Sequence, residues 1–147
     1  MKQHGRLLLL TAWLAFAVGC AGASSNTQSL ELGSASLHVE VVATQTERAR
    51  GLMYRKHLGK NNGMLFVYPD TAPRSFWMKD TTIPLSIAFI NKRGKILRIR
   101  EMTPLDVKPV KSVVPASYAV EVNRGWFEAN GVKVGDIVKP LPPLASE

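Results

Sequence analysis

From residue 30 onward the chain alternates between short strand-like runs and turn signals. In Ser36–Val42, Leu37, Val39 and Val41 fall on one face and His38 and Glu40 on the other, which predicts a half-buried strand. Met64–Val67 reads as a short apolar strand behind the Asn61-Asn62-Gly63 turn, and Ser75–Lys79 as another. Leu85–Ile90 is apolar on both faces, which predicts a central strand. Asn91-Lys92-Arg93-Gly94 is a hairpin turn, after which Lys95–Glu101 returns with Leu97 and Ile99 alternating against Arg98 and Arg100. Tyr118–Val122 buries Tyr118, Val120 and Val122, and Ile137–Lys139 forms a last strand after the Val134-Gly135-Asp136 turn. Two helical pieces interrupt the strands. Thr46 is placed to cap a helix through Glu47, Arg48, Ala49 and Arg50, and Arg124–Asn130 makes one or two turns closed by Gly131. The pattern predicts a mainly β protein, a compact β-sandwich or partly closed barrel with one or two short helices.

The first residues follow a different pattern. Lys2 and Arg6 precede an apolar stretch, Leu7–Val18, that is shorter than the roughly 20 residues a membrane-spanning helix needs and fits the apolar region of an export signal. The stretch runs into Ala17-Val18-Gly19-Cys20, small residues ending at the only cysteine of the chain, which resembles a bacterial lipobox. This predicts a signal peptide over 1–19 and a lipidated Cys20. A flexible tether over 20–29, a single β-rich domain over 30–139 and an extended Pro-rich tail over 140–147 would follow. Acylation would anchor the protein to a membrane without spanning it. Ala21 after the Cys, by resemblance to bacterial sorting signals, predicts the outer membrane, facing the periplasm.

Composition narrows the chemistry. A single Cys excludes an intramolecular disulfide framework, a Cys-rich zinc site and an iron–sulfur cluster. The 19 Lys and Arg outweigh 11 Asp and Glu, for a net charge of +8 over 147 residues. Loss of Lys2 and Arg6 with the signal leaves 17 − 11 = +6. The cations gather on the hairpin of Lys92, Arg93, Lys95, Arg98 and Arg100, with Lys108 and Lys111 beyond. No aromatic residue interleaves them, so nucleic-acid binding is not expected. On an exported protein this patch points to anionic lipid or cell-wall polymer as partner, or serves only to solvate an edge strand. The sequence does not fix an oligomeric state.

Arg50-Gly-Leu-Met-Tyr-Arg55, Gly63-Met-Leu-Phe-Val67, Ser75-Phe-Trp-Met-Lys-Asp-Thr81, Ile83-Pro-Leu85, Phe89-Ile90, Pro115-Ala-Ser-Tyr118 and Glu121 through Gly125-Trp126 together resemble the prokaryotic family known as domain of unknown function 192. The resemblance covers about residues 36–139 and implies a compact β-sandwich or barrel, often behind a signal peptide. It implies no activity. The family pattern has Asn where this chain has Asp80, and Asp where it has Ser86, so a role for that Asp does not transfer directly.

The densest candidate segment is Phe76–Thr81. Alternation puts Phe76 and Met78 on one face and Trp77 and Lys79 on the other, so Trp77 offers an aromatic wall and Lys79 a cation for an anionic or sugar-like ligand. Arg50, ahead of Gly51, is a loop-anchored guanidinium beside Arg48 and Arg55. Glu121 falls on the polar side of its strand, where an ion pair with Lys79 or Arg50 is expected in preference to a site acid. The ligand-binding set is therefore Arg50, Trp77, Lys79, Asp80 and Glu121. A carboxylate pair such as Asp80 with Glu121 could in principle run acid–base hydrolysis of an envelope glycan, although nothing in the spacing points to it specifically. No Gly-x-Ser-x-Gly or Ser-x-x-Lys nucleophile motif occurs. Met53, Met64, Met78 and Met102 lie in apolar runs without a repeat and read as core packing in preference to a Cu(I) site. His38 and His57 are far apart, and no metal or cofactor is expected. Three readings remain: an envelope lipoprotein that binds a small or polymeric anionic ligand, an envelope-glycan hydrolase, and a structural or partner-binding module with no pocket.

Overall fold

The computed structural model describes residues 26–146; the signal segment and Cys20 lie outside them. The elements run β1 (Thr27–Leu32), β2 (Ala35–Val42), α1 (Gln45–Arg50), β3 (Asn62–Phe76), β4 (Leu85–Ile90), β5 (Ile96–Met102), β6 (Val110–Asn123), α2 (Trp126–Ala129) and β7 (Val138–Lys139). All seven strands join one sheet in the order β5-β4-β6-β3-β2-β1-β7. The sheet curls into a half-barrel, which gives the mainly β architecture with two short helices that the pattern predicts.

The curl brings the two ends of the sheet together. Lys95 and Ile137 form a bridge, the Ile96 N–H donates to the Asp136 carbonyl at 2.9 Å, and the Val138 N–H donates to the Gly94 carbonyl at 2.8 Å. Gly94 makes this seam possible: its φ is +85°, and a Cβ there would lie 2.5 Å from the Val138 carbonyl oxygen. Every strand pair is antiparallel except β2 with β3, which run parallel. A parallel pair needs a long return connection, and residues 43–61, including α1, supply it.

Alternation along the strands divides the core in two. Leu65 and Val67 of β3, Ala88 and Ile90 of β4, and Tyr118, Val120 and Val122 of β6 point inside the curl, where Trp126 and Phe127 of α2 join them. Met64 and Phe66, Leu85, Ile87 and Phe89, and Ala119 point outward. There they pack with Leu52, Met78, Ile83 and Met102 in a second core. Both faces of β4 and of the second half of β6 are therefore covered, and all of Leu85–Ile90 is buried. Met64, Met78 and Met102 are packing residues of the outer core.

Four local expectations change. β1 starts at Thr27, inside the expected tether, because its register with β2 pairs Thr27 with Glu40 and Ser29 with His38. Backbone pairing orders these small polar residues without burying them. The Pro-rich tail is docked: the buried Tyr118 hydroxyl donates to the Pro142 carbonyl at 2.7 Å, and Leu141 and Ala145 pack on the inner core. The expected strand Met64–Val67 and the first two residues of Ser75–Lys79 belong to one strand, β3, which ends at Phe76 and whose second half pairs with the first half of β6 through two register shifts; Trp77–Lys79 lie beyond it. The N-cap of α1 is Thr44 and not Thr46. Thr44 and Glu47 form a reciprocal capping box, which requires the three-residue spacing that Thr46 lacks.

Candidate functional site

Between the residue 43–61 crossover and the outer core lies a cavity of about 300 Å³. Phe66, Leu85 and Glu121 of the sheet form its floor. Arg48, Arg50, Gly51, Leu52 and Met53 of the crossover form one side, and Tyr68, Ser75, Phe76, Trp77, Met78 and Thr81 the other. Gly51 turns the crossover at the cavity with a φ of +47°, a conformation that favours glycine.

Glu121 is the unexpected feature. Its register partners are Met64 on β3 and Ile87 on β4, both in the outer core. It is only 4% exposed, and its carboxyl has no ion pair or hydrogen bond among the described residues. The expected pairing with Lys79 or Arg50 is absent. The reason is that the polar position of β6 faces a second core, and not solvent. Burial in these apolar surroundings pushes the Glu121 carboxyl up to about 8, so it is a neutral hydrogen-bond donor at neutral pH.

The three arginines around α1 have different duties. Arg48 donates to the carbonyls of Ala43 and Val67, the latter at 2.9 Å, and its guanidinium lies 4.8 Å from the centre of the Tyr68 ring. Arg55 holds Glu40 through two contacts of 2.5 Å. Arg50 is exposed on the cavity side, with no ion pair among the described residues. Tyr68 is braced further by Arg74, 3.8 Å from its ring centre, and Arg74 is itself paired with Asp70 at 2.6 Å. Burial raises the Tyr68 hydroxyl to about 12, which keeps it protonated.

The structure thus gathers three of the five expected ligand residues, Arg50, Trp77 and Glu121, around one cavity. Trp77 is 50% exposed just past β3, while Phe76 and Met78 turn to the core as alternation predicts. Lys79 does not line the cavity; its ammonium sits 5.5 Å from the centre of the Trp77 ring. Asp80 also lies outside, its carboxylate accepting from the Tyr54 hydroxyl at 3.0 Å. Asp80 and Glu121 therefore do not share a cleft, and the expected carboxylate pair is not assembled. Ser86 is remote as well: it is buried, and its Oγ accepts from the Gly125 N–H at 3.0 Å beside α2. Tyr68, Ser75 and Thr81 line the cavity without having been expected. Tyr68 alone had a signal, since it continues the outward row of Met64 and Phe66. No group of three or more His, Cys, Asp or Glu among the described residues is placed to hold a metal.

Comparison with known proteins gives a consistent picture. The family DUF192, described as "Uncharacterized ACR", matches residues 28–140. A crystal structure of a "putative transcription regulator" from Sinorhizobium meliloti 1021 superposes with a TM-score of 0.72 at 34% identity, over 76% of this chain and 89% of that one. A protein of unknown function from Novosphingobium aromaticivorans DSM 12444 superposes with a TM-score of 0.70 at 32% identity, over 77% of this chain and 84% of that one. No curated protein matches.

Proposed function

This chain belongs to the DUF192 family, and from that premise we propose that it is a non-enzymatic envelope lipoprotein whose domain binds a small anionic group, free or presented by a polymer. The observation that carries the binding reading is the shared cavity of Arg50, Trp77 and Glu121. It combines an unpaired guanidinium, an aromatic wall and a buried polar group on its floor, as small-ligand sites do. Envelope anchorage rests on Leu7–Val18 and Cys20. The cations Lys92, Arg93, Lys95, Lys108 and Lys111, which form no ion pair among the described residues, suit a surface beside anionic lipid. The hydrolase reading loses its support, because Asp80 lies outside the cavity.

Thermal-shift titration with small carboxylates and sulfate tests the binding reading. Wild type and Lys79→Ala should both be stabilised, and Arg50→Ala should be stabilised less. Equal stabilisation of all three would refute it. For anchorage, Cys20→Ser should move the protein out of the membrane fraction; unchanged retention would refute lipidation.

A further inference from the structure

Glu121 has no hydrogen-bond or ion-pair partner among the described residues, yet its carboxyl is the one carboxylic acid among them that is buried. Met64 and Ile87 flank it in register and Phe66 and Leu85 share the cavity floor. Its carboxyl adds nothing to that packing, because an unpaired buried polar group weakens a core. Its placement makes sense when a ligand supplies the missing partner.

The charges around it decide which ligand. Arg48 and Arg50 line the cavity from the crossover, and Tyr68 lines it from β3. β4 contributes Leu85, and the segment after β3 contributes Trp77, Met78 and Thr81, none of which carries charge. Besides Glu121, the charged residues of the lining are Arg48 and Arg50; Arg48 is held by the carbonyls of Ala43 and Val67, which leaves Arg50 as the cation available to a ligand. We propose that the cavity takes a small organic oxyanion with an apolar body, a carboxylate or sulfonate, whose head accepts a hydrogen bond from the protonated carboxyl of Glu121 while Arg50 offsets its charge at the rim. The apolar body lies against Phe66, Phe76 and Trp77. This rests on the anion-binding reading above and adds a condition to it: occupancy requires the Glu121 proton. Ionised Glu121 would repel the head and offer it no donor. Bound anion in turn holds the proton on, so binding takes up a proton wherever free Glu121 is ionised.

Calorimetric titration of the purified full-length chain with benzoate, hexanoate and sulfate at pH 6, 7 and 9 tests the proposal. These probes keep constant charge over that range. With the free carboxyl near 8, affinity should fall about tenfold from pH 7 to pH 9. Benzoate and hexanoate should bind more tightly than sulfate. Glu121→Gln keeps a donor but cannot ionise, so its affinity should be weaker by about fivefold at pH 7 and then flat to pH 9. Glu121→Leu, which fills the floor with an apolar side chain, should stay folded and lose binding. Arg50→Ala should bind more weakly at every pH and keep the tenfold ratio. Anion binding that is flat with pH in the wild type, or that falls equally with pH in Glu121→Gln, overturns this proposal and leaves the anion-binding reading standing. Absence of binding by all three probes at pH 6 and 7 overturns both. Tighter binding of hexylamine than of hexanoate overturns the assigned ligand charge.

Discussion

Replacing Glu121 by Gln isolates the energetic effect of one buried acid. In the unfolded chain this carboxyl ionises near its ordinary value of 4.5, whereas in the folded protein burial raises it to about 8. Between these values the native state holds a proton that the unfolded state releases. Stability from this group is therefore complete below pH 4.5 and is lost as pH rises through 8. At about 1.4 kcal/mol for each tenfold change in proton affinity, the full interval corresponds to about 5 kcal/mol. The cause is burial in the outer core: Met64 and Ile87 are the register partners of Glu121, and Phe66 and Leu85 share the cavity floor with it. Urea unfolding of wild type and Glu121→Gln at pH 5, 7 and 9 measures the effect, with their difference removing the titration of every other group. Wild type should lose several kcal/mol relative to the variant between pH 5 and pH 9. Glu47 and Asp70 do not confuse this window, because hydrogen bonds lower both carboxyls and their contribution is complete above pH 5. Parallel pH profiles for the two proteins would refute the placement of Glu121 as an unpaired buried acid.

Three further substitutions test the cap of α1 and the seam between the sheet ends. Thr44→Ala removes one half of the capping box of α1 and should cost about 1 kcal/mol in urea unfolding, whereas Thr46→Ala should cost almost nothing; the opposite order would contradict the cap assignment. Gly94→Ala forces a Cβ into a positive-φ position and against the Val138 carbonyl. It should cost about 2 kcal/mol or more and raise hydrogen exchange at the Ile96 and Val138 amides, and unchanged exchange there would mean that the seam does not hold the two sheet ends together.

The strands that bury side chains are legible in the sequence, and the elements held by backbone pairing are not. Leu85–Ile90 announces itself because both faces are apolar, and the Leu37, Val39, Val41 row marks β2 by alternation. Thr27–Ser29 carries no such mark, since its order comes from hydrogen bonds to β2. Residues 68–74 of β3 are hidden for the same reason, lying in a ribbon paired with β6. At the site, local sequence finds Trp77 and Arg50 through their neighbours, but it misplaces Lys79 and Asp80, which a turn after β3 carries away from the cavity. Glu121 shows the limit most clearly. A polar residue in an alternating strand reads as solvent-facing unless a second core is known to cover it, and that core is assembled from residues as distant as Val42 and Met102.

The parallel pairing of β2 with β3 has an evolutionary consequence. A parallel pair obliges the chain to travel back across the sheet, and residues 43–61 do this over the outer face. The path that topology demands is thus also a wall of the cavity, carrying Arg48, Arg50 and Met53. Most of its own backbone bonds are local turns and caps, and it shares few ladder bonds with the sheet. Sequence change along this segment can therefore reshape what enters the cavity while the seven-strand scaffold keeps its register. Within this segment Leu52 packs into the outer core while the neighbouring Arg50 is exposed at the cavity, so on the proposed binding reading Arg50 is a position where change alters the cavity without disturbing the core.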